Sequence, residues 1–223
     1  MYDINCWETK FEYCYYSKRL LDKLSLINKY LPIQHKIDLL EIKKAIYYAK
    51  AYHGSQTRQS GELYYSHPLE VAYKIADYCF KKDILITSIL HDTIEDTSLT
   101  ALMIEDLFDY SIAEQVENLT RVKPDRKISS GKLIELLCKN GKEDLLLIKY
   151  FDRLHNMETI GFKKPQKLSK TVDETLKKFT SLSIYLKSKI PSLLEVDEAL
   201  MNLCYQQLTP TQQHSLPDLM DAC

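Results

Sequence analysis

With 223 residues, the chain is long enough for one domain with a sizeable core and short extensions. Basic and acidic side chains nearly cancel, 30 against 31, which argues against a general nucleic-acid-binding surface. No apolar run reaches membrane-spanning length, and 5 Gly and 7 Pro among long helix-periodic stretches point to an all-α architecture.

The N-terminal stretch, Met1 to Leu31, is rich in Tyr interleaved with Lys, Asp and Glu. It lacks the basic start and uninterrupted apolar core of a targeting peptide. One or two helices packing on the main domain are expected, with Leu31-Pro32 as a break, so residues 1–32 read as an extension. The next helix is predicted from Leu39 to His53, where Leu39, Ile42, Ile46 and Ala49 recur at helical spacing and Gly54 stops it. From His53 to Pro68 the pattern breaks, with Gly54 and Gly61 marking a loop and Pro68 suited to the first turn of a new helix. His67 then stands at that helix's start, either aimed into a cleft or serving as a cap or core residue.

The run from Ile84 to Leu90 is apolar enough to be buried and leads into His91-Asp92 and Glu95-Asp96. On one continuous helix, His91 would stand one turn from Glu95, and Asp92 one turn from Asp96, forming a compact polar patch. Carboxylates at the end of a buried run are costly unless compensated, and a divalent cation compensates them well. The alternative is an exposed helix end carrying a few acids. A third stretch, Asp144 to Met157, is an apolar helix that turns polar at Asp152, with Asn156 one turn later. An ion pair of Asp152 with Arg153 is the plainer reading there.

Six cysteines (Cys6, Cys14, Cys79, Cys138, Cys204, Cys223) show no paired spacing, so reduced thiols and a cytoplasmic location are expected. The tail from Thr209 to Cys223 carries Pro210 and Pro217 and reads as loosely ordered.

Three motifs in order give the chain a resemblance. R-x-S-G-E-x-Y followed by H-P spans Arg58 to Pro68, L-H-D-x-x-E-D-T spans Leu90 to Thr97, and I-K-x-x-D-R-L-H-N-M spans Ile148 to Met157. Together they resemble the HD-domain phosphohydrolases, and specifically the (p)ppGpp hydrolase domain of the RelA/SpoT family. The resemblance runs from about Ile37 to Leu186. It implies an HD-domain helical bundle over residues 33–190 with one metal site in a central cleft, followed by a C-terminal helix and tail over 191–223. It further implies His67, His91, Asp92 and Asp152 as ligands of one Mn²⁺. Glu95 and Asp96 match the acidic pair that handles the attacking water and the departing ribose oxygen. Arg58 matches the arginine packing over guanine, while Ser60, Tyr64, Asn156 and Thr159 match nucleotide contacts. Loop capping, packing and helix-end hydrogen bonding are the structural alternatives for those four.

Three departures stand out. Gln59 replaces a frequent lysine, Leu63 the usual proline, and Glu158 an arginine. Two lost cations bear on phosphate binding, and the segment Arg121 to Lys127 is either a local replacement or a solvated charge run. The segment Glu174 to Leu182 resembles the helix that links the hydrolase to a synthetase in long family members, and too few residues follow for a synthetase. The expected function is therefore stand-alone removal of the 3′-pyrophosphate of (p)ppGpp, with the guanine nucleotide as partner and neither nucleic acid nor membrane involved. A slow regulatory remnant, or a hydrolase of another phosphorylated nucleotide such as NADPH, is the alternative.

Overall fold

The computed structural model describes residues 6–122, 127–162 and 165–208, with the side chains of 162, 165 and 166 left aside. Every regular element among them is helical, and the only β features are two isolated bridges, Thr57 with Leu63 and Val122 with Lys127. The all-α expectation holds. The chain forms two compact units, Met1–Leu133 and Ile134–Cys223.

In the first unit, α1 (Trp7–Lys10), α2 (Tyr15–Tyr30), α3 (Leu39–His53), α4 (Ser66–Ile75), α5 (Lys82–Leu90), α6 (Thr93–Asp96), α7 (Ala101–Leu107) and α8 (Tyr110–Leu119) follow in order. The centre is α5. Every residue from Ile84 to Leu90 is buried, as a helix apolar on all sides requires, and α3, α4 and α8 pack around it. Helix α3 starts at the Asp38 cap, whose carboxylate accepts from Leu40 N, and stops at Gly54 with φ 51°. That is the left-handed region in which glycine carries no Cβ penalty. Within the Tyr-rich N-terminal stretch the described residues form α1 and α2, with Leu31 ending α2 in an extended conformation. Leu20, Leu21 and Leu24 of α2 are buried, and the helix packs on α3 and α4.

Helix α9 (Ser130–Lys139) contains the boundary between the units. The second unit continues with α10 (Glu143–Glu158), α11 (Pro165–Glu174), α12 (Thr180–Lys189) and α13 (Leu194–Gln206), with a π-helical turn at Thr175–Phe179 between α11 and α12. Here α10 is central. Leu145 to Phe151 are all buried, and α12 and α13 pack against it. Asp197 of α13 accepts hydrogen bonds from Tyr150, Ser183 and Lys187, satisfying polar groups in the core. No described helix is long and apolar enough to cross a membrane. The expected loose tail, Thr209 to Cys223, lies outside the described residues.

Candidate active site

Helix α5 delivers His91 at its C-cap, φ −58° and ψ −28°, and Asp92 follows at φ −100° and ψ −6° before the single turn of α6. One continuous helix through Asp96 was expected, and this is corrected: the helix breaks at His91-Asp92. The physical reason lies in competing side chains. Thr93 Oγ1 donates to Leu90 O at 2.7 Å and His91 Nδ1 bonds Ser88 O at 2.7 Å, so side chains take up carbonyls at the end of α5. Asp96 N still donates to Asp92 O at 3.0 Å, which keeps those two residues a turn apart. Glu95, however, turns to a separate partner set, so the expected patch of four is split.

His67 and His91 are each 2% exposed, with ring centroids 5.4 Å apart. Both face Asp92: His67 Nε2 lies 3.7 Å from Oδ2, and His91 Nε2 lies 3.3 Å from Oδ1. The contact to Ser88 O demands a proton on His91 Nδ1, so in the neutral ring Nε2 presents a lone pair toward the carboxylate. Two electron-rich atoms at that distance need a proton or a metal cation between them. The two rings offer nitrogens within 4.8 Å of each other, a spacing that could hold one ion. Imidazole nitrogen with carboxylate oxygen suits a first-row divalent cation, and the carbonyl behind His91 is the orienting contact that metal-bound histidines usually have. The residues present therefore fit a metal.

Tyr64 joins this group. Its hydroxyl donates toward Asp96 Oδ2 at 2.8 Å and Asp92 Oδ2 at 3.1 Å, sharing one proton between two carboxylates. Burial, with the charge of Asp92 behind it, holds the Asp96 carboxyl above its ordinary range. Glu95 goes the other way. Burial pushes its carboxyl up, but hydrogen bonds from Lys127 and Arg121 outweigh it and the net shift is downward. Arg121 reaches Glu95 through Nη2 at 2.7 Å and backbone N at 3.1 Å, and Lys127 through Nζ at 2.8 Å. The basic segment thus meets Glu95 from both its described ends, while Lys123 to Arg126 lie outside the described residues.

The glycine loop closes as a small hairpin. Arg58 N donates to Glu62 O at 2.8 Å and Tyr64 N to Gln56 O at 2.8 Å, with Gly61 at φ 86° making the turn. Arg58 is half-buried on one arm, and Ser60 near the tip donates to Glu62 Oε2 at 3.3 Å. Two residues missed in the sequence stand behind this loop. His53 is 2% exposed and stacks on Tyr64 at 4.7 Å, and its Nδ1 meets Gln56 Oε1 at 2.8 Å. Gln56 Nε2 donates to Asp96 O at 2.8 Å. The spacing of His53 and Gln56 around Gly54 was the available signal.

In the second unit, Asp152 lies on α10 with Lys149 Nζ at 2.6 Å and Asn156 Nδ2 at 2.6 Å from its two oxygens. Arg153 bonds Glu174 at 2.9 Å and lies over the Phe179 ring at 4.5 Å. Lys149, buried beside Asp152, was also missed; only its i,i+3 spacing pointed there. The Thr159 hydroxyl donates to His155 O at 3.0 Å, the helix-end bond that was its structural alternative.

The sequence model of the HD domain matches residues 45–184, which contain all three motif stretches. A GTP pyrophosphokinase rsh from Brucella ovis is 34% identical over 193 residues, 83% of this chain and 25% of that relative. A guanosine-3′,5′-bis(diphosphate) 3′-pyrophosphohydrolase from Spiroplasma citri is 30% identical over 198 residues, 86% of this chain and 26% of its own. The bifunctional (p)ppGpp synthase/hydrolase SpoT of Escherichia coli K12 is 30% identical over 203 residues, 88% and 28% respectively. The chain thus spans about a quarter of the length of these curated relatives. With the matched region running from within α3 into α12 and the His-Asp pair at the end of the buried α5, the chain belongs to the HD domain family.

Proposed function

We propose that this chain hydrolyses the 3′-pyrophosphate of (p)ppGpp in alarmone turnover of the stringent response, giving GDP or GTP, and that it does so in the cytoplasm with Mn²⁺. The observation that carries the reading is His91: its proton is committed to Ser88 O, leaving a lone pair against Asp92 where a cation belongs. The names of the Spiroplasma citri and Escherichia coli relatives supply the substrate class.

In this reading His67, His91, Asp92 and, by the family motif, Asp152 are the ligands. These residues would hold a divalent cation, which when bound would supply Lewis-acid polarisation of a phosphate oxygen and a lowered pKa for bound water. The chain's own groups handle the rest. Glu95 and Asp96 manage the proton: one takes it from water as the new O–P bond forms, and one is supplied to the ribose 3′ oxygen as the old bond breaks. Tyr64, by bonding Asp96 and Asp92, orients both carboxylates. Arg58 stacks on the guanine, and Ser60, Asn156 and Thr159 take polar contacts to the nucleotide.

Purified protein with Mn²⁺, incubated with ppGpp, with NADPH and with other 3′-phosphorylated nucleotides, followed by product chromatography, tests this directly. GDP and pyrophosphate from ppGpp are the expected products. Intact ppGpp alongside a consumed competitor would move the substrate assignment, and no turnover of any nucleotide would overturn the hydrolase reading.

A further inference from the structure

We propose that His53 and Gln56 are positioning residues that clamp Tyr64 between Asp92 and Asp96, so that the glycine loop and α6 present their side chains as one rigid piece. The hydrogen-bond logic leaves little freedom. Asp96 O is a pure acceptor, so the Gln56 atom at 2.8 Å must be the amide nitrogen. Its oxygen then faces His53, which fixes a proton on Nδ1. That tautomer leaves Nε2 as a buried acceptor, and it has no hydrogen-bond partner among the described residues. The ring held in this way lies nearly parallel to Tyr64, 22° between planes and 4.7 Å between centroids. From there the Tyr64 hydroxyl reaches the two carboxylates.

A route thus closes on itself: His53 to Gln56 to the backbone of Asp96, and His53 to Tyr64 to the side chain of Asp96. Each link comes from a different element, the end of α3, the loop and α6. If any one is cut, the Tyr64 ring keeps its backbone anchor at Gln56 O but loses the wall that sets its tilt. The cost should appear where the hydroxyl acts, in the orientation of Asp92 and Asp96, and only weakly in global stability.

This rests on the reading of Asp92 as a metal ligand, and the test separates the two. Mn²⁺ affinity is measured by titration for the wild type, Tyr64→Phe, His53→Leu, Gln56→Ala and the double variant His53→Leu/Tyr64→Phe, beside ppGpp turnover and Tm. Removing an orienting partner of a metal ligand typically costs roughly 10–100-fold in affinity. We expect Tyr64→Phe to fall in that range and His53→Leu to approach it. The double variant should be no worse than Tyr64→Phe, since one effect acts through the other. Gln56 is exposed, so Gln56→Ala cannot fail by unfolding the core, and it should lose a smaller part of the affinity. His53→Asn, which keeps an N–H toward Gln56, should recover some of what His53→Leu loses.

Strictly additive losses, or a His53→Leu variant that lowers Tm while leaving Mn²⁺ affinity and KM at wild-type values, would overturn the clamp. A non-additive Mn²⁺ cycle in a protein that leaves ppGpp intact would uphold the clamp and discard the substrate assignment. A wild type that binds no Mn²⁺ would remove both the ligand reading and the clamp's purpose.

Discussion

In the proposed reading the chemistry turns on Asp92, because both buried imidazoles and Tyr64 face its carboxylate. Asp92→Ala and His67→Ala should each lower bound metal sharply from about one equivalent per chain, measured by elemental analysis after mild purification. Unchanged metal in both variants would remove the assignment. The acidic pair makes a different prediction. Glu95→Gln and Asp96→Asn should keep the metal yet lose turnover by on the order of 10²–10⁴-fold, since proton handling and not coordination is removed. Near-normal rates would leave Glu95 as nothing more than the anchor of Arg121 and Lys127. In the proposed reading Arg58 serves binding. A planar guanidinium stacks on a purine and keeps its charge, so Arg58→Ala should raise KM more than it lowers kcat in steady-state assays. A loss confined to kcat would place Arg58 on the phosphate in the transition state.

Among the elements, α2 shows how the Tyr-rich stretch is built into the first unit. Arg19 pairs with Glu70 and Lys23 with Asp77, each at 2.6 Å, and both cations lie 4.0 Å from the Tyr73 ring of α4. Beneath them Leu20 and Leu24 are fully buried. Leu24→Ala should cost about 2–5 kcal/mol in urea unfolding, and Arg19→Ala only on the order of 1 kcal/mol because its charge is partly exposed. A silent Leu24→Ala would mean that α2 is dispensable to the fold. Helix α3, from Leu39 to its Gly54 stop, was legible because periodicity and a terminating glycine are local properties of the chain. The break at His91 was not, since it depends on Thr93 and His91 side chains competing for carbonyls that a continuous helix would bond. The same holds for His53: its role comes from stacking on a residue eleven positions away across a loop, and no helical period encodes that contact. The residues gathered around the two buried histidines were legible as types within motifs. Which of the acids face the histidines, and which face Arg121, is a tertiary fact.

For the molecule as a whole, a formal charge of −1 offers no long-range attraction to a highly anionic nucleotide, so in the proposed reading affinity comes from local cations and a bound metal. Two positions that commonly carry such cations in the RelA/SpoT pattern are Gln59 and Glu158 here, and both side chains are exposed. Exposure is compatible with solvent-facing drift and equally with a place beside bound phosphates. The two differ in their response to salt. Exposed charges are screened over roughly 10 Å at 0.1 M ionic strength, so a cation acting on phosphate should lose much of its effect as salt rises. Gln59→Lys and Glu158→Arg should therefore each tighten ppGpp binding, more strongly at low ionic strength. Glu158→Arg should give the larger gain, because it reverses a charge where Gln59→Lys only adds one. Titrating ppGpp into each variant at two ionic strengths measures both the gain and its salt slope. Affinities that stay flat in every condition would mean that neither position touches the phosphates, and that Arg58, the Arg121–Lys127 segment and the metal supply the binding unaided.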